Sequence, residues 1–281
     1  MRVLVVGATG VYGRHLVPRL LERKHQVRAT VRRAGQSRPL LAMGADALIG
    51  DILDAASMDR AAEGCDAVVH IATALPRPGV TVDPALNEKV RIEGTRNLLA
   101  AALRAGVRRY FQQSIVSIYG DQGAKIATEE VPAQAPNERF RVVVAMEQMV
   151  RLSTLDWCIL RGGSFYGPGT GREDEWRQGM RDGTLKIPGD GGALVSPIRV
   201  ADMASGTVAA IENAPGGSIY NVVDDEPVTY RDLFHWLAAQ MGCPTPATGG
   251  QPVTSVGCSN ARLKDLGWHP GFPTYRSGLV V

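Results

Sequence analysis

The first thirteen residues, Met1-Arg-Val-Leu-Val-Val-Gly-Ala-Thr-Gly-Val-Tyr-Gly13, restrict the possible fold more than any other stretch. Residues 2–6 are an apolar run with three valines, the pattern of a strand buried on both faces. Gly7, Gly10 and Gly13 follow at once, and Arg14 to Arg23 reads as a helix. Strand, glycine turn and helix together form a cradle for phosphate groups. Backbone N–H groups at the helix start face the anion, and the helix dipole favours its charge. The glycines remove a Cβ where chain or ligand approaches closely, and Thr9, Val11 and Tyr12 lie between them against the same ligand. No GKS or GKT follows, so a nucleoside-triphosphatase loop does not compete with a dinucleotide.

A second strand is expected at about Gln26–Val31, ending in Arg32 and Arg33. A dinucleotide site that prefers NAD usually places an acid here for the ribose 2′-hydroxyl. An acid would repel a 2′-phosphate, whereas a guanidinium pairs with it bidentately. The expected cofactor is therefore NADP(H) rather than NAD(H), held by Arg32 first and Arg33 second; the alternative is two solvated loop arginines. Further strands are expected at Ala47–Ile49 and Ala67–Ile71. Ile71, Ala72 and Thr73 come at the carboxyl end of the latter, where small residues let the dinucleotide backbone approach. His70 ends an apolar run and reads as a core histidine. Pro76–Pro84 reads as a loop over the cofactor.

The GATGVYG loop, Val90-Arg-Ile-Glu-Gly-Thr-Arg-Asn-Leu-Leu99, Ser114-Ile-Val-Ser-Ile-Tyr-Gly120, Arg161-Gly-Gly-Ser-Phe-Tyr-Gly-Pro-Gly169 and Ser259-Asn260 through Leu266-Gly-Trp-His-Pro270 occur in that order. Together they resemble the extended branch of the short-chain dehydrogenase/reductase superfamily, from Met1 to about Gly278. That resemblance implies an α/β fold: a Rossmann-like, doubly wound, mostly parallel sheet over residues 1–160. A small substrate-binding part over 161–281 would return about 186–225 to the first. It also implies that Asp51 and Ile52 touch the adenine, although Asp51 could equally cap a helix over 54–63. Ser114, or Ser117 as fallback, would bind a substrate oxygen, and Tyr166 could point into the cleft. A homodimer is expected by the same resemblance.

The branch usually works through Tyr-x-x-x-Lys, two side chains on one helix face, with the lysine making the phenol a better acid/base. Here the corresponding helix, about Glu138–Leu152, carries Phe140, Val143, Val144 and Glu147. None of Tyr12, Tyr110, Tyr119, Tyr166, Tyr220, Tyr230 or Tyr275 has a lysine four residues on. Three functions stay open: an NADP(H)-dependent oxidoreductase or epimerase with another proton donor, such as Tyr119, Tyr166 or the substrate; an NADP(H)-binding sensor without turnover; and an interaction module on the same fold. For the first, a small carbonyl, alcohol or enone is the expected substrate.

Composition narrows the partners. The chain has 281 residues, 44% of them hydrophobic and 21% charged, enough for a full core. A net charge of +3 without a basic aromatic run argues against nucleic acid and membrane surfaces. Four scattered cysteines without metal-like spacing suit a reducing cytoplasm and suggest no metal site. No run approaches a membrane span, and no signal peptide is expected.

Overall fold

The computed structural model describes residues 1–75 and 83–279; most of the expected cofactor-covering loop, 76–82, lies outside them. Five strands of the first half are β1 (Arg2–Val6), β2 (Gln26–Val31), β3 (Asp46–Ile49), β4 (Ala67–His70) and β5 (Arg109–Ile115). A two-residue strand, β6 (Ile126–Ala127), leaves the sheet before β7 (Asp156–Gly162) rejoins it. Three short strands, β8 (Ser164–Tyr166), β9 (Leu194–Val195) and β10 (Pro197–Arg199), precede β11 (Ser218–Val222), which lies along β7. The seven-stranded sheet runs β11-β7-β5-β4-β1-β2-β3, and every pairing in it is parallel. The inner strands are buried runs such as Val3–Val6 and Ala67–His70, as a sheet covered on both faces requires, while the edge strand β3 is more exposed.

Chain order reverses between β1 and β4. From β1 the chain moves outward through β2 and β3, then returns to the other side of β1 at β4. The crevice beyond the carboxyl ends of such neighbouring strands is where ligands of this architecture bind.

Helices α1 (Val11–Glu22), α2 (Arg38–Ala42), α3 (Ala55–Ala62), α4 (Pro84–Lys89), α5 (Thr95–Arg104) and α6 (Glu138–Arg151) accompany the first half of the chain. They are followed by α7 (Arg172–Arg181), α8 (Val200–Asn213) and α9 (Tyr230–Met241). On one face of the sheet, Leu16, Val17 and Leu20 of α1 share a core with Met203, Ala210 and Ile211 of α8. On the opposite face, Met58 of α3 and Leu98 and Leu99 of α5 meet Leu4, Val68 and Tyr110. A separate cluster gathers Tyr166, Met180, Ile187, Val228, Leu233 and Phe234.

The helix expected over 85–105 is not continuous. Between α4 and α5 lies a π-helical turn, Val90–Gly94. Such a turn inserts one extra residue and redirects the side chains around it. Gly94 packs on Ile52 there, which brings the turn against the loop after β3.

Candidate functional site

The glycine loop closes the end of β1 against the end of β4. Gly7 has φ +106°, and a Cβ there would come 2.7 Å from Ala72 N and 2.8 Å from the Ile71 carbonyl carbon. The turn thus holds Ile71 and Ala72 beside the loop. A Cβ on Gly13 would lie 2.5 Å from Ala8 Cα, so only glycine lets α1 sit this close to the turn. Gly10 is the N-cap of α1 and supplies no side-chain acceptor; the first turn carries no acid. The first N–H groups of the helix have no intrahelical partner. Thr9, Gly10 and Val11 are half-buried around this positive end, which suits a pyrophosphate.

Tyr12 corrects one expectation. Its side chain is 4% exposed and turns into the core, edge-on to Phe165 at 5.8 Å. The hydroxyl shares a hydrogen bond with Thr207 of α8. Its side chain therefore belongs to the core between α1 and α8.

On the outer side of β1, Arg32 and Arg33 follow β2 and are exposed. Neither guanidinium forms an ion pair among the described residues. Asp51 does not cap α3. Asp54 does so, its Oδ1 accepting from Ala56 N–H at 3.1 Å. The exposed Asp51 accepts from Leu53 N–H through Oδ1 at 2.9 Å, and Asn97 Nδ2 donates to the Ile52 carbonyl at 3.0 Å. Asn97 therefore steadies the loop that presents Asp51 and Ile52.

On the other side of β1, His70 ends β4 at 1% exposure. Its Nδ1 accepts from Ala72 N–H at 3.3 Å, while Nε2 has no partner. Burial, aided by nearby Arg91, pushes its pKa down to about 3, so the ring is neutral. Thr73 is exposed just beyond, and Ala74 N–H donates to Asn87 Oδ1 at 3.1 Å.

Ser114 lies within β5 rather than beyond it, 1% exposed, and its Oγ has no hydrogen-bond partner. Both tyrosines expected as proton donors have structural partners instead. Tyr119 is fully buried; its O–H donates to Asn221 Oδ1 at 2.8 Å, and the Arg161 guanidinium lies 4.8 Å over its ring. Burial pushes its pKa up to about 12 despite that cation. Tyr166 is 1% exposed and donates to Asp224 Oδ2 at 2.9 Å, with burial and the neighbouring carboxyl driving its pKa far upward. Both phenols therefore stay protonated, with their protons already engaged.

Helix α6 places Val143 in the core beside Met146, and Glu147 forms two hydrogen bonds with Arg161, Nε–Oε1 at 3.0 Å and Nη2–Oε2 at 2.6 Å. Sequence reasoning missed this ion pair. The only signal was a glutamate in an apolar helix and an arginine ending an apolar strand. Sequence reasoning also missed Arg91, buried in the π-helical turn. Among the described residues no group of three or more His, Cys, Asp or Glu side chains could hold a metal, and no helix is long and apolar enough to cross a membrane.

A dinucleotide cradle at the switch point of a parallel sheet defines a Rossmann-type protein, and the family follows from comparison. The family model described as NAD dependent epimerase/dehydratase family matches residues 3–222, and the chain belongs to that family, within the extended short-chain dehydrogenases/reductases. It is 35% identical over 309 aligned positions to a 3-diazoavenalumate denitrifying reductase of a Streptomyces species, covering 99% of each chain. It is 30% identical over 297 positions to a UDP-glucose 4-epimerase of Mycolicibacterium smegmatis, covering 96% of this chain and 94% of that one. The crystal structure of the Thermus thermophilus UDP-glucose 4-epimerase in complex with NAD superposes with a TM-score of 0.82 at 26% identity, over 99% of this chain and 96% of that one. The family and these relatives support an enzyme of oxidoreductase or epimerase type that uses a nicotinamide dinucleotide.

Proposed function

We propose that the chain is an NADP(H)-dependent reductase that delivers hydride to a small conjugated electrophile of enone or diazo type. What supports this reading is a glycine loop of the dinucleotide-cradle form together with a helix α6 that offers no phenol–ammonium pair. Bound at the cradle, the cofactor would supply the hydride. The α1 N-terminus would hold its pyrophosphate, Asp51 and Ile52 its adenine, and Arg32 with Arg33 its 2′-phosphate. Gly7, Ile71, Ala72 and Thr73 would shape the passage toward β5, where the unpartnered Ser114 hydroxyl is available to a polar atom of the substrate.

Reducing a simple ketone leaves an alkoxide that needs an acid at hand. An acceptor that is cationic, or that spreads the added charge along a conjugated chain, can take its proton from water. The missing pair is therefore least costly for such acceptors. The reductase relative named for a diazo compound supports the same direction. Epimerisation needs a phenol that both gives and takes a proton, and the partners of Tyr119 and Tyr166 oppose that role.

NADPH oxidation against a panel of enones, ketones and aryl diazo compounds tests the proposal. In folded protein, Tyr119→Phe and Tyr166→Phe should keep turnover within about threefold, because a true general acid contributes about 10²–10⁴. A loss of about a hundredfold in either folded variant would mean that its phenol does supply the proton.

A further inference from the structure

One buried cation has no counter-charge among the described residues. Arg91 is 6% exposed, and its Nη1 lies 3.8 Å from Met146 Sδ. Among the described residues no carboxylate pairs with it. Arg161, buried to the same degree at 3% exposure, shows the contrast through its two-bond pairing with Glu147. Burial, with the like charge of exposed Arg139 adding to it, holds Arg91 down to about 10, still a cation at neutral pH. Burying an ion without an opposite charge is among the costliest arrangements a fold can keep. Such a cation is expected where a ligand supplies the missing anion.

Two groups without hydrogen-bond partners, His70 Nε2 and Ser114 Oγ, lie on the sheet face that α5 covers, and Arg91 is close enough to His70 to act on it. Side chains alternate along a strand, so Val68 and His70 of β4 share one face, as do Tyr110 and Ser114 of β5. Val68 and Tyr110 both pack with Leu98 and Leu99 of α5, which puts all four on the sheet face covered by α5. His70 pairs with Gln112 in register, so Ser114 lies one step further toward the carboxyl ends. With Nδ1 accepting from Ala72 N–H, a neutral His70 carries its proton on Nε2, and that N–H is unpaired. Guanidinium, imidazole N–H and serine O–H are all donors, and an anion is what unpaired donors fit.

We infer that Arg91 is the anchor for a carboxylate of the substrate, at the carboxyl ends of β4 and β5 beside His70 and Ser114. This rests on the reductase reading above and names the substrate class: a conjugated electrophile that is also a carboxylic acid. The cofactor's phosphates do not explain Arg91. Arg32 follows β2, on the far side of β1 from β4, and α1 packs on the sheet face opposite α5, whereas Arg91 acts on His70 at the end of β4. A guanidinium fork matches a planar carboxylate through two parallel bonds.

The test titrates cinnamate and cinnamamide, a pair differing by the charge, into enzyme saturated with NADP+. Wild type should prefer the carboxylate by about tenfold or more. Arg91→Lys should keep part of that preference, and Arg91→Met should lose it while its affinity for NADPH stays at the wild-type level. Equal binding of the pair by wild type, binding of neither, or a preference surviving in Arg91→Met would overturn the inference. If Arg91→Met does not fold, the wild-type pair and Arg91→Lys decide. A wild type that binds no NADP(H) would instead overturn the reductase reading, and this inference with it.

Discussion

Asp224 is a carboxyl whose burial decides its charge. It is 2% exposed, accepts from Tyr166 O–H through Oδ2, and leaves Oδ1 without a partner. Burial pushes its pKa up to about 8 from an ordinary 3.8. The folded state then holds the proton more tightly than the unfolded one, so this group makes stability fall as pH rises from about 4 to about 8. Asp224→Asn keeps an oxygen for Tyr166 and has no proton to lose. Thermal melts of the two proteins should diverge with rising pH, the variant gaining on wild type; a constant difference would show that Asp224 does not titrate in this range. Glu147 poses the opposite case. Glu147→Gln leaves Arg161 charged and buried, which should cost about 3–5 kcal/mol in urea unfolding. At this scale the sequence was legible where chemistry is local. Gly7, Gly13 and Arg32 act through their own backbone or their own charge. Tyr119 and Tyr166 were not legible, because their partners Asn221 and Asp224 come 102 and 58 residues later. Arg91 was half legible: it stands four before Thr95 and seven before Leu98, both fully buried, so it sat on a core stripe while reading as a surface charge.

Among elements, α1 carries the site through its amino end, where no side chain caps the first turn. Gly13 is its tightest point. A valine there would force α1 away from Ala8, so Gly13→Val should destabilise the fold by about 1–3 kcal/mol and weaken dinucleotide binding in whatever protein remains folded. A thermal melt and an NADPH titration on one sample check both effects; binding at wild-type strength would remove α1 from the account. Strand and helix types were readable from periodicity, since buried runs and apolar stripes are properties of single segments. The break of the 85–105 helix into α4, the π-helical turn and α5 was not readable. The turn packs through a tertiary contact, Gly94 against Ile52, which the chain makes only once the loop after β3 is in place. The same contact, with Asn97 holding the Ile52 carbonyl, ties the loop after β3 to the turn that carries Arg91.

For the molecule as a whole, the order of seven parallel strands converts these local pieces into one cleft. The reversal beside β1 sets Arg32 and Asp51 on one side of the pyrophosphate cradle and His70, Arg91 and Ser114 on the other. A dinucleotide lying across the switch point would have its adenine end among the first group and its reactive end toward the second. The Rossmann architecture was legible early because a strand–glycine–helix start admits few alternatives. The reaction was less so, since the side chains around Ser114 are assembled from segments far apart in the chain. The proposal that the cleft takes NADP(H) through Arg32 is tested by a parallel titration of wild type and Arg32→Ala with NADPH and NADH, followed by fluorescence. NADPH should bind wild type more tightly than NADH, and Arg32→Ala should lose about tenfold or more for NADPH while NADH is little changed. Tighter binding of NADH by wild type, or equal losses for both cofactors in the variant, would contradict it.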